Sequence, residues 1–286
     1  MFNPELNRAV QDFTVLVLPL SEKDLEREWK WRDHDKEGIR FAFFVTLQEL
    51  RELSVTLSTL RSQPTPAQLI LGHYHAAYMD LQAAVFGLSA EDAEQAPAEG
   101  EWNIRKTYSH ILRADIAFTA IIRYALERHR AGAWKQDQIS DEDEARLSGI
   151  SGMTEEEYQA LIKGPLEYML AYHRDFHPRI VDEFSNITNG ELDLPSTFWE
   201  GTRFPIRHRL HRYEAHFVQH TVQVDKTLTA IGRAPNESQR LIRKIHGALA
   251  EAEGMLIGAE KMDETAILAT VSSITEHTRE IENILK

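Results

Sequence analysis

The chain has 286 residues, 42% hydrophobic and 27% charged, the balance of an ordinary globular protein long enough to bury a substantial core. A formal net charge of −13 argues against a protein that sequesters nucleic acid or an anionic membrane, although Arg203, Arg207, Arg209 and Arg212 could form a local basic patch. The absence of cysteine excludes disulfides, thiolate metal sites and a cysteine nucleophile, so a metal must sit on His, Asp, Glu or water and any thiol must be borrowed.

The N-terminal stretch shows no basic segment followed by an apolar core, so no signal peptide is expected. No apolar run approaches the roughly 20 residues of a membrane span. A cytoplasmic protein is the default expectation. Residues 12–20, ending in Pro19, read as a short strand or an apolar strap. Ser21 with Asp24 marks a helix start. That helix is expected to pass through Trp29 and Trp31, break near Gly38 and resume to about Leu60, with Phe43, Leu47, Leu50, Leu53 and Leu57 on one face. A second helix covers about 65–88, with Ile70, Tyr74, Ala77, Leu81, Val85 and Leu88 as its stripe.

A polar linker spans 89–101. The next helix runs from Trp102 to about His129 and carries Ile104, Tyr108, Ile111, Phe118, Ile122 and Leu126 on one side. Residues 131–153 read as an acidic loop. A helix over 154–184 should be kinked at Pro165 and Pro178. A loop at 185–202 leads into a helix over 204–231, ended by Gly232 and Pro235. Two further helices, about 236–257 and 262–285, complete an all-α chain with no strand expected beyond the N-terminal strap.

His216 and His220 form an H-x3-H pair. Four residues advance about 400° on an α-helix, so both imidazoles share nearly one face. The apolar line of that helix is Ile206, Leu210, Tyr213, Phe217, Val224, Leu228 and Ile231; His220 lies on it and His216 beside it. Both rings therefore point inward. Either they bond to carbonyls or carboxylates as core histidines, or they share a metal ion, since this spacing suits a helical two-histidine site. With 13 histidines, chance pairs are expected, and His173 with His177, His208 with His211, and His73 with His75 read as surface or structural.

The stretch Glu101 to Leu112 places Trp102 at a helix start and His110 eight residues later, and H-x3-H is followed by Gln223-Val224. Together these features resemble the DinB/YfiT-like family of metalloenzymes, over roughly 66–232. The resemblance implies a DinB-like four-helix bundle at 65–235 and carries nothing over to the segments outside it, whose apolar stripes are costly to expose and predict a helical extension packed on the bundle at 1–64 and a C-terminal helical hairpin at 236–286. It implies that His110, His216 and His220 are metal ligands. Three neutral imidazoles suit a divalent transition metal, zinc or nickel first, then iron or manganese.

Ergothioneine-pathway relatives use H-x3-H-x-Glu for iron, but Val222 stands at that last position here. Mycothiol-dependent relatives use Glu in place of the middle His. Glu214, about 200° round the helix from His216, is a poor substitute and reads as a solvated acid. Two functions follow. One is a metal-dependent enzyme acting on a small molecule, as a transferase that activates a low-molecular-weight thiol or as a hydrolase or isomerase. The other is a non-catalytic metal-binding, stress-associated protein whose extra helices hold a partner or a dimer mate. Trp29, Trp31, Trp102, Trp134 and Trp199 read as packing anchors before pocket walls.

Overall fold

A computed structural model describes residues 2–134, 149, 152–197 and 202–286. The loop expected at 131–153 falls largely outside these residues, and so does Trp199. The described chain holds twelve helices and two small antiparallel hairpins. Its contacts form two compact units: residues 1–64, 75–87 and 232–286, and residues 65–74 and 88–231. Among the described residues no helix is long and apolar enough to cross a membrane.

The first unit opens with α1 (Pro4–Val17). The expected extended strap over 12–20 is therefore largely helix. Asn3 caps it by accepting from the backbone N–H groups of Glu5 and Leu6, Pro4 begins its first turn, and Leu6, Ala9, Val10, Phe13 and Val17 are buried at helical spacing. The run of Thr14, Val15 and Val17 looks β-like locally, but the cap and the burial period decide the outcome. Ser21 and Asp24 do form a capping box, on the single turn α2 (Glu22–Leu25).

The helix expected through Trp29 and Trp31 is instead a hairpin, β1 (Glu28–Lys30) with β2 (Lys36–Gly38). Both tryptophans are buried and their rings stack at 5.7 Å. Strands of three residues are too short to show an alternation in sequence. The long helices of this unit are α3 (Arg40–Leu60), the later part of α4 (Pro66–Val85), and the two helices Glu237–Gly254 and Glu264–Leu285.

The second unit takes the first part of α4, then α5 (Ala90–Glu94), a turn of helix inside the expected linker. It continues with α6 (Ile104–Arg130), α7 (Glu155–Lys163), α8 (Leu166–Phe184), α9 (Asn189–Leu192), the hairpin β3 (Pro195–Thr197) with β4 (Arg203–Pro205), and α10 (Ile206–Ala230). Pro165 separates α7 from α8, whereas α8 runs past Pro178 without ending. The chain then returns to the first unit with α11 (Glu237–Gly254) and α12 (Glu264–Leu285), where α11 packs on α3 and α12 on α1.

The four-helix core of the second unit is built from α4, α6, α8 and α10, and Tyr74 sits where they meet. Its hydroxyl donates to Asp115 on α6 at 2.9 Å, and its ring lies 4.6 Å from those of His177 on α8 and Tyr213 on α10. Burying large rings such as Tyr74, Tyr108, Tyr213 and Phe217 contributes about 2–3 kcal/mol each by apolar area.

Candidate metal centre

Helix α6 starts at Asn103, whose side chain accepts from the Lys106 N–H at 2.8 Å and donates to the Glu94 carbonyl at 3.1 Å. This fixes the helix phase and sets His110 on the flank that meets α10. The apolar line of α10 turns the neighbouring His216 and His220 inward, and both are buried; His110 is half-buried. Across the seam, His110 Nε2 and His216 Nε2 stand 3.1 Å apart. One ring nitrogen from each of His110, His216 and His220 lies within 4.8 Å of the others.

Two nitrogens each about 2.1 Å from one ion, in tetrahedral or octahedral arrangement, are about 3.0–3.4 Å apart, and the His110–His216 spacing falls in that window. Burial, with the charges of His220 and His110 next, pushes His216 down to about 3. Burial also lowers His110 from its ordinary value. These imidazoles are thus neutral at neutral pH, the form that binds a metal.

His220 Nδ1 donates to Gln223 Oε1 at 2.8 Å, which leaves the Nε2 lone pair for a ligand. The His216 Nδ1 atom is buried with no hydrogen-bond partner among the described residues. Three imidazoles converging without an acceptor oxygen between them fit a divalent transition metal better than a hydrogen-bonded core. Trp102, 43% exposed, lies beside half-buried His110 with ring centroids 5.2 Å apart.

A family model for the DinB superfamily matches residues 73–224, more than half of the chain and inclusive of all three histidines. The chain belongs to the DinB superfamily. No curated protein and no solved structure matches it.

This DinB-superfamily chain uses its other histidines differently. His173, on the fully buried face of α8, takes the Tyr108 hydroxyl on Nδ1 at 2.8 Å and meets Asp115 through Nε2 at 3.0 Å. His75 is buried against Glu253 at 3.0 Å, while the exposed His73 faces Glu214 at 3.9 Å. Glu214 is half-buried and stands outside the histidine cluster.

Of the four arginines considered as a basic patch, Arg207 binds Asp193 and Arg209 is buried with its guanidinium over Phe204. Trp29 and Trp31 are core anchors, and Trp134 stacks on His129 at 4.4 Å. Sequence reading did not single out Asp115. A signal was present, since Asp115 interrupts the α6 stripe between Ile111 and Phe118 at a position that should be apolar. Nor did it assign a role to Gln223, three residues past His220, where one helical turn brings the two side chains together.

Proposed function

We propose that His110, His216 and His220 hold one divalent transition metal and that this centre serves a metal-dependent enzyme acting on a small molecule. The observation that carries the reading is the 3.1 Å approach of two neutral imidazole nitrogens with a third within 4.8 Å. Zinc and nickel suit three imidazoles best, with iron and manganese next. When bound, such an ion supplies Lewis acidity and lowers the pKa of an oxygen or sulfur donor beside it.

The protein's own part is positional. Gln223 fixes the tautomer of His220, burial keeps His216 neutral, and the Trp102 ring lies beside His110. Transfer of a low-molecular-weight thiol is one chemistry such a centre serves, and with no cysteine in the chain its sulfur would come from the substrate. The second reading is a metal-binding protein whose extension docks a partner. It is favoured by the exposed apolar stripe of α3, where Phe44 is 46% and Val55 66% exposed.

Elemental analysis of the purified protein tests the centre. Close to one transition-metal ion per chain is expected, and alanine at His110, His216 or His220 should each reduce occupancy sharply while far-ultraviolet dichroism stays helical. Full occupancy in all three variants removes the metal centre.

A further inference from the structure

Two buried histidines of this chain are held by carboxylates. His173 Nε2 meets Asp115 at 3.0 Å, and His75 Nε2 meets Glu253 at 3.0 Å. His220 Nδ1 instead donates to the amide oxygen of Gln223 at 2.8 Å. A glutamate has nearly the shape of a glutamine and would reach the same nitrogen from three residues along the helix, so the difference at this position is charge and not geometry. A carboxylate behind a ligating histidine makes the imidazole a stronger donor and adds a negative charge beside the ion.

The rest of the cluster is equally free of negative charge. No Asp or Glu joins His110, His216 and His220 among the described residues. His216 Nδ1 is buried with no hydrogen-bond partner among the described residues, so no acid backs that ring. Glu214, the acid nearest to His216 in sequence, faces His73 at 3.9 Å. This neutrality is local, in a chain with 45 acidic residues and a net charge of −13.

An imidazole is uncharged when it binds a metal. A divalent ion held by three of them, with a neutral amide behind one, keeps its whole charge, and among buried groups that charge is weakly screened. An anionic ligand then gains far more than a neutral one. A carboxylate behind His220 would cancel part of that gain.

We infer that Gln223 sets the charge of this centre: by holding His220 through a neutral amide, it favours substrates that bind the ion through an anionic atom over those that offer a neutral carbonyl or amine. The inference rests on the metal-centre reading above. Gln223 acts through His220, as a positioning residue.

The test uses the full-length protein at saturating cobalt, whose visible absorption reports a ligand reaching the ion. Azide serves as the anionic probe and imidazole as the neutral one. Two variants separate charge from contact: Gln223→Glu keeps an acceptor in place and adds a charge, whereas Gln223→Ala removes the acceptor and adds none. In Gln223→Glu the azide dissociation constant should rise about tenfold or more, with that of imidazole changed less than about twofold. In Gln223→Ala the ratio of the two constants should stay within about threefold of the native ratio. A purely structural role would move both probes together in both variants. An unchanged ratio in Gln223→Glu, an equal shift of the ratio in Gln223→Ala, or failure of azide to bind the native centre overturns the inference and leaves the metal centre standing. Loss of cobalt from Gln223→Glu alone also overturns it, since a carboxylate behind His220 should hold the ion at least as firmly as an amide. Failure of the native protein to load cobalt removes the metal centre, and this inference with it.

Discussion

Two groups of histidines inside one bundle have opposite surroundings. His173 has an oxygen at each ring nitrogen, the Tyr108 hydroxyl on one side and the Asp115 carboxylate on the other, and it is wholly buried. His110, His216 and His220 turn nitrogens toward one another at the α6–α10 seam, with His220 Nδ1 held by Gln223 and His216 Nδ1 buried without a partner among the described residues. A buried polar group left unsatisfied costs about 1–3 kcal/mol. A histidine that serves packing is therefore paired with oxygen, as His173 is, and a cluster of nitrogen facing nitrogen points to a ligand. The first unit adds an intermediate case: His246 and His277 each reach one threonine hydroxyl, of Thr14 and Thr46, while Nδ1 of each is buried without a partner.

The largest effect on stability is expected at the satisfied histidine. His173→Ala leaves the Asp115 carboxylate buried with Tyr74 as its remaining partner and removes a large buried ring, which together cost about 3 kcal/mol or more. Urea denaturation measures the loss, and metal content per folded chain should not change. A loss below about 1 kcal/mol, or an emptied metal centre, would erase the distinction between the two groups.

The half-satisfied pair should respond to acid. Burial pushes both His246 and His277 down to about 4 from an ordinary 6.5. The folded protein therefore binds fewer protons than the unfolded chain between those values. Stability is complete above about pH 6.5 and declines as pH falls toward 4, by roughly 2–3 kcal/mol for each ring at pH 4.5. Denaturation at pH 7 and at pH 4.5 should show this, and His246→Gln or His277→Gln should each flatten the decline. Unchanged slopes in both variants would mean that other groups carry the acid sensitivity.

The smallest effect sharpens the view of the open cluster. Gln223→Ala frees His220 to rotate and change tautomer, so metal affinity should fall about 10- to 100-fold while occupancy at saturating metal stays near one. Chelator competition reads this directly. An unchanged affinity would show that the Gln223 contact with His220 is incidental to metal binding.

Much of the fold was legible because long helices announce themselves by period. The stripes ending near Leu60 and beginning near Ile104 and Ile206 became α3, α6 and α10 with boundaries shifted by a residue or two. Errors fell where the pattern was short or mixed. Residues 4–17 form a helix through a β-branched stretch because Asn3, Pro4 and the burial period prevail, and Trp29 with Trp31 lies in a hairpin too brief to alternate visibly.

For the site, the α10 apolar line was enough to turn His216 and His220 inward, since helical geometry fixes which residues share a face. His110 came from family likeness, because no local rule joins residues 106 positions apart. The chain thus determined by itself an all-helical class, most helix positions and the inward pair. Tertiary structure alone decided that α6 lies antiparallel to α10 in the register that places His110 Nε2 3.1 Å from His216 Nε2, and that Asp115 meets His173. Those outcomes depend on how whole helix faces pack, a sum over many weak contacts that no short segment contains.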